Sequence, residues 1–184
     1  MAFAVNAAHR GHRVTLFEAE AELGGQLRLA REVPGKSEFH ELLRYFRVAL
    51  ARAGVTVQLG QAVDAQSLAQ SCRSAEFQDV VLATGVRPRR PDIRGLDHPK
   101  VLGYQEVLSG NKLPGAKVAI IGAGGIGFDV ADYLVGRPET SRQPEAFMDA
   151  WGVDIANQRP GALRPAVRHA PTRQVFMFQR RPGV

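Results

Sequence analysis

The sequence predicts an α/β fold in which parallel strands alternate with helices, and three observations carry that expectation. Short runs of β-branched and aromatic residues are separated by helical patterns rather than by tight hairpin turns. One strand, Val118-Ala119-Ile120-Ile121, feeds directly into Gly122-Ala123-Gly124-Gly125-Ile126-Gly127 and a helix. Near the start of the chain, a small-residue helix, Gly11 and a strand ending on Glu18 repeat the later part of the same strand–turn–helix–strand unit. Together these read as two Rossmann-like dinucleotide-binding domains, both incomplete. The first covers residues 1–113 and lacks its first strand and glycine turn; the second covers residues 114–184 and is truncated at its C-terminus.

Taken in order, residues 2–10 form a helix stopped by Gly11, and Arg13-Val14-Thr15-Leu16-Phe17 has the β-branched and aromatic character of a buried strand. After Leu23-Gly24-Gly25-Gln26 and Pro34-Gly35 comes a strong amphipathic helix. Ser37 can cap it, Phe39, Leu42, Leu43, Phe46 and Leu50 recur at helical spacing, and Gly54 marks its end. Val55-Thr56-Val57-Gln58-Leu59 reads as a strand, and residues 77–83 as another, closed by Thr84-Gly85 and a Pro/Arg-rich run over residues 86–91. Beyond Leu113-Pro114-Gly115 the pattern restarts with a strand at 117–121, the glycine turn and a helix at 128–134. A long insertion over 136–173 separates these from a final strand, Gln174-Val175-Phe176-Met177-Phe178, which delivers Gln179, Arg180 and Arg181 to its end. Trp151, inside the insertion, could stack on a cofactor but is expected rather to pack the insertion, because large aromatics dominate burial.

Composition removes several function classes. An apolar fraction of 45% with 23% charged residues is that of a globular protein, and no apolar run approaches the roughly 20 residues of a membrane helix. No secretory pattern opens the chain, so a cytoplasmic setting is expected. The lone Cys72 cannot form an internal disulfide, a CxxC redox pair or a cysteine-ligated cluster. Histidines 9, 12, 40, 98 and 169 lack metal-ligand spacing, so no metal site is expected. The net charge of +6 comes from basic residues spread along the chain in runs no longer than two, which does not describe a nucleic-acid surface.

The glycine turn carries the chemistry. Between a strand and a helix, GxGxxG places a pyrophosphate against the free N–H groups of a helix N-terminus. Gly122 permits the tight turn, Gly124 lets the backbone approach the phosphates, and Gly127 lets helix and strand pack closely. The end of the following strand chooses the nucleotide: an acidic residue accepts from the ribose hydroxyl of NAD, whereas arginine suits the 2′-phosphate of NADP. Arg180 and Arg181 therefore favour NADPH, provided the long interval from Gly127 is an insertion. Their alternative role is as solvated surface charges. Glu18 stands where an adenosine ribose would bind in the first unit, or is an exposed strand-end carboxylate.

Glu18, Leu23-Gly24-Gly25-Gln26, Pro34-Gly35-Lys36, Ala83-Thr84-Gly85, His98-Pro99-Lys100-Val101, the run from Val118 to Asp129, Trp151-Gly152-Val153-Asp154 and Gln179-Arg180-Arg181 together resemble the bacterial NADPH-dependent 2,4-dienoyl-CoA reductases. Those enzymes join an FMN barrel and a 4Fe-4S cluster to FAD- and NADPH-binding domains. The resemblance implies an FAD-binding portion at 1–113 and an NADPH-binding portion at 114–184. It implies a flavoprotein oxidoreductase that passes a hydride from NADPH to FAD, with electrons continuing through the cluster to FMN and an unsaturated acyl-CoA of fatty-acid β-oxidation. It places Glu18 on the FAD ribose, Gly25 and Gln26 beside the flavin or its pyrophosphate, and Thr84 and Gly85 near the FAD phosphates. Gly122, Gly124, Gly125 and Gly127 would hold the NADPH pyrophosphate, with Arg180 and Arg181 on the 2′-phosphate.

The barrel, cluster cysteines, acyl-CoA acid/base groups and first FAD glycine turn have no counterpart in the sequence. The chain thus reads as an internal fragment without a catalytic residue of its own, inactive and weak in FAD retention when isolated, whose partner would be the FMN/iron–sulfur portion. Two rival readings stay open: a ferredoxin–NADP reductase or glutamate-synthase-like electron-transfer module, and a non-catalytic nucleotide-binding remnant. Disulfide reductases are disfavoured by the missing cysteine pair.

Overall fold

In the computed structural model, residues 1–74, 77–136 and 143–179 are described. The elements run α1 (Ala2–His9), β1 (Thr15–Phe17), α2 (Leu27–Ala30), α3 (Glu38–Arg52), β2 (Thr56–Gln58), α4 (Ala65–Arg73), α5 (Tyr104–Leu108), β3 (Lys117–Ile121), α6 (Gly125–Val135), α7 (Pro144–Trp151) and β4 (Gln174–Phe178). Among the described residues the strands pair in parallel, as the βαβ reading expects: β1 with β2 and β3 with β4. The chain divides into two compact units, Met1–Leu27 with His40–Leu96, and Arg28–Phe39 with Asp97–Val184. The segment Arg28–Phe39 therefore belongs to the second unit, although it lies early in the sequence.

In the first unit, β1 and β2 align Thr15 with Thr56, Leu16 with Val57 and Phe17 with Gln58. The core is Ala4 and Val5 of α1, Leu23, Leu50 of α3 and Val55, with Val14, Leu16 and Val57 packed against it. The amphipathic stripe of α3 does what its spacing predicts, burying Leu43 and Leu50 to 1% exposure. α4 escaped the sequence reading because its composition is mostly polar. Its start is nevertheless encoded: the Asp64 carboxylate accepts from Ser67 N–H at 2.8 Å while Ser67 Oγ accepts from Asp64 N–H at 3.2 Å, a reciprocal cap.

The strand expected at 77–83 is absent. No ladder forms there, and Val80, Val81 and Leu82 are exposed. An apolar run becomes a strand only when another strand's backbone answers its N–H and C=O groups, and among the described residues none lies beside it. The segment keeps one tie to the sheet: the Phe77 ring meets Phe17 edge-on with centroids 6.0 Å apart.

In the second unit, β3 and β4 pair over five positions, from Lys117 with Gln174 to Ile121 with Phe178. Their alternation is clean. Val118, Ile120 and Val175 turn inward onto Val130 and Leu134 of α6, Val107 and Leu108 of α5 and Val33. Ile121, Phe176 and Phe178 turn outward and are exposed. The 136–173 interval is thus an insertion between two neighbouring strands. Its described part, from 143, holds α7, whose end at Gly152 is followed by an isolated antiparallel bridge of Val153 with Leu163. Arg164 pins this loop, donating to Val153 O at 2.9 Å and pairing with Asp149. Trp151 does not pack the insertion as expected. It is 68% exposed, its ring tilted by 41° to that of Phe147 with centroids 6.0 Å apart, because the loop closes through backbone bonds and the Asp149–Arg164 ion pair instead of an aromatic core.

Candidate functional site

The most fully formed candidate site is the start of α6. β3 ends at Ile121 and the backbone turns at Gly122, whose φ of +117° is accessible to glycine at no steric cost. The Gly122 N–H donates to Phe178 O at 2.8 Å, so the turn is tied to the last residue of β4. Gly124 is the N-cap of α6, and the first helical bond runs from Phe128 N–H to Gly124 O at 3.1 Å. The N–H groups of the first helical turn therefore have no intrahelical acceptor. Gly124 and Gly125 are exposed, and a Cβ at either would meet nothing within 4 Å.

Gly127 is the opposite case. A Cβ there would fall inside 3.0 Å of Gly122 O, 3.1 Å from Gly122 C and 3.6 Å from Met177 Cε. The helix start is pressed onto the turn, and the bare backbone of the outer glycines faces open space. That combination fits a pyrophosphate: free N–H donors at the positive end of a helix, with no side chain between them and a ligand.

The register of β3 with β4 puts Gln179 immediately beyond the strand end that holds Gly122. That is where the fold places nucleotide-choosing side chains. Arg180 and Arg181 lie outside the described residues.

In the first unit, Glu18 follows β1. Its N–H donates to Gln58 O and its carbonyl accepts from Gln61 N–H, both at 2.9 Å, so the strand end is held against the residues after β2. Its carboxylate accepts from Glu20 N–H at 3.0 Å and is half-buried. Gly25 and Gln26 sit in the exposed turn before α2, closed by Leu27 N–H on Gly24 O at 3.0 Å. Thr84 and Gly85 are exposed on the extended segment after 83. Open space surrounds Gly25 and Gly85, so these residues do not form a closed cradle comparable to the second-unit turn. No group of three or more His, Cys, Asp or Glu side chains able to hold a metal occurs among the described residues. No helix among them is long and apolar enough to cross a membrane.

One pair beside the turn escaped sequence reasoning. Lys36 Nζ donates to both carboxylate oxygens of Asp129, on α6, at 2.6 and 2.7 Å. Ninety-three residues separate the two, and no local pattern joins them.

Parallel β–α–β connectivity with a glycine turn at a helix start defines a dinucleotide-binding α/β protein. Comparison with known proteins places it more closely: residues 1–163 match the pyridine nucleotide-disulphide oxidoreductase family, and the chain belongs to that family. The chain is 37% identical over 138 residues to an NADH oxidase of Thermoanaerobacter brockii, covering 73% of this chain and 21% of that protein. It is also 37% identical over 129 residues to a bilirubin reductase of Mediterraneibacter gnavus, covering 70% and 19%. A solved structure of a 2-naphthoyl-CoA reductase in complex with 2-naphthoyl-CoA matches with a TM-score of 0.64 at 34% identity, over 72% of this chain and 19% of that one. The chain thus spans about a fifth of the length of the relatives it matches. Membership of this family implies binding of FAD and of a nicotinamide nucleotide.

Proposed function

We propose that this chain is the nucleotide-handling part of a larger reductase. In this reading its second unit holds NADPH, its first unit holds part of FAD, and the hydride passes from one to the other. The observation that carries the proposal is the β3–α6–β4 unit with Gly127 closed onto Gly122 and Gly124 and Gly125 left open. The bound nicotinamide and flavin supply the hydride chemistry; the chain supplies position and electrostatics. Gly122, Gly124, Gly125 and Gly127 offer the pyrophosphate bare backbone, and Arg180 and Arg181 offer its 2′-phosphate paired cationic donors. Glu18 accepts from the FAD ribose, with Gly25, Gln26, Thr84 and Gly85 along the rest of that cofactor.

The final substrate of this reading is an unsaturated acyl-CoA thioester, as the resemblance to 2,4-dienoyl-CoA reductases suggests. Similarity to a reductase whose structure contains 2-naphthoyl-CoA supports a CoA thioester without selecting the dienoyl class. The FMN, the 4Fe-4S cluster and the acyl-CoA acid/base groups belong to a partner portion, in a cytoplasmic enzyme. A second reading has one specific observation behind it: a relative named an NADH oxidase favours NADH as the donor.

Titration of the chain with NADPH, NADH and FAD separates the readings. NADPH should bind at least roughly tenfold more tightly than NADH, since charge-assisted bonds to a phosphate are worth that much. Replacing Arg180 and Arg181 by Ala should erase the difference. Preference for NADH in the unsubstituted chain selects the oxidase-like reading. Binding of neither nicotinamide leaves a remnant.

A further inference from the structure

The segment Arg28–Phe39 is the least expected part of the second unit. It precedes α3 in sequence, yet it packs with the nucleotide-binding unit. Two contacts fix it to α6. Val33, 2% exposed, shares a core with Val130 and Leu134, and Lys36 grips Asp129 through both carboxylate oxygens. The backbone around Lys36 is itself closed, with Lys36 N–H on Val33 O at 3.1 Å and Phe39 N–H on Lys36 O at 3.2 Å. The ammonium is therefore presented from a fixed turn.

Asp129 stands two residues beyond Gly127, and four residues, or about 6 Å of helix axis, from Gly125. An unpaired carboxylate there would favour the helix through its dipole but would repel a pyrophosphate bound at the same end. Lys36 cancels that charge. The pair is only partly exposed, at 37% and 28% for the two side chains, so solvent screens it incompletely.

We propose that Lys36 is a positioning residue for the nicotinamide nucleotide. Its ion pair with Asp129 neutralises the acidic side chain nearest the start of α6 and holds that helix start in register, so the pyrophosphate meets an uncompensated positive terminus. The proposal rests on the nicotinamide-nucleotide reading above. Because the pyrophosphate is common to both nucleotides, loss of Lys36 acts on NADH and NADPH alike, unlike loss of Arg180 and Arg181.

The test is a charge cycle on the full chain, read by equilibrium binding of NADPH and NADH at low and high salt, with urea unfolding of every variant. Lys36→Met should weaken both nucleotides by about threefold to tenfold, the effect of one uncompensated charge on a dianion roughly 10 Å away in a largely aqueous dielectric. Asp129→Asn should tighten both by a comparable factor, since it uncovers one positive charge at nearly the same place, and the double variant should return to within about twofold of the unsubstituted chain. The Lys36→Met deficit should shrink as salt rises, which a purely structural defect would not do. Lys36→Arg keeps the charge and should keep the affinity, and it serves if Lys36→Met folds poorly. The proposal is overturned if the unsubstituted chain binds a nicotinamide nucleotide and Lys36→Met binds it as well. A deficit that persists in the double variant, or that ignores salt, overturns it too. If the unsubstituted chain binds neither nucleotide, the nucleotide reading itself fails and takes this one with it.

Discussion

Gly127 and Gly125 stand two positions apart in the same helical turn, and alanine at each should act in opposite directions. At Gly127 the new Cβ would lie inside 3.0 Å of Gly122 O, a backbone atom that cannot rotate away. Restoring van der Waals contact requires the turn and the helix start to part by roughly 1 Å. Overpacking of this kind costs about 1–3 kcal/mol, and a clash with backbone belongs at the upper end. Replacing a helical glycine returns up to about 1 kcal/mol, so Gly127→Ala should lose about 2 kcal/mol net. At Gly125 the Cβ meets nothing within 4 Å, so Gly125→Ala should gain a few tenths to about 1 kcal/mol. Its methyl group, however, would occupy the open side of the helix start, and nicotinamide-nucleotide affinity should fall there without loss of stability. Urea unfolding monitored by far-ultraviolet circular dichroism reads the first quantity and nucleotide titration the second. A Gly127→Ala chain as stable as the original would refute the close approach. A Gly125→Ala chain with unchanged affinity would remove the pyrophosphate from this turn.

Two further outcomes follow from packing and charge. Leu134, 1% exposed at the centre of the second-unit core, should cost about 2–5 kcal/mol when truncated to Ala, and hydrogen exchange should report lost protection in β3, β4 and α6. The Asp64 carboxyl titrates below its usual range, chiefly because Ser67 Oγ–H donates to it and then because the Ser67 N–H does. A group whose folded pKa is depressed stabilises fully above its unfolded pKa and loses that contribution as pH falls through the folded value. The α4 cap should therefore hold at neutral pH and fail on acidification below the carboxylate range. Asp64→Asn should remove this pH dependence, as amide-exchange rates across Ala65–Arg73 would show.

The strands legible in the sequence are those whose partners are present. β3 and β4 coincide with their expected residues, since both pair and both alternate apolar inward positions. Residues 77–83 have the same composition without a neighbouring ladder, and composition alone cannot supply one. α4 and α5 were invisible to apolar periodicity. Their signals were polar: the Asp64–Ser67 cap, and Glu106, which accepts from Gly103 N–H at 2.8 Å and pairs with Lys112 at 2.5 Å. Within the site, the glycine turn was readable because its geometry is local. The Lys36–Asp129 pair was not, because it exists only once residues 28–39 fold back onto α6. Arg180 and Arg181 lie outside the described residues, so their role still rests on sequence position alone.

The outward side of the β3–β4 pair governs how the chain behaves as a solute. Ile121, Phe176 and Phe178 form an apolar strip on a parallel sheet, an architecture that ordinarily hides both of its surfaces. Against this adhesive strip works a net charge of +6, which makes molecules repel one another over roughly 8 Å at physiological ionic strength. Salt shortens that repulsion and leaves the apolar attraction intact. Adding salt is then the wrong remedy for a cloudy preparation: the chain should clear on dilution into low-salt buffer and should bind a phenyl resin as sulfate is added.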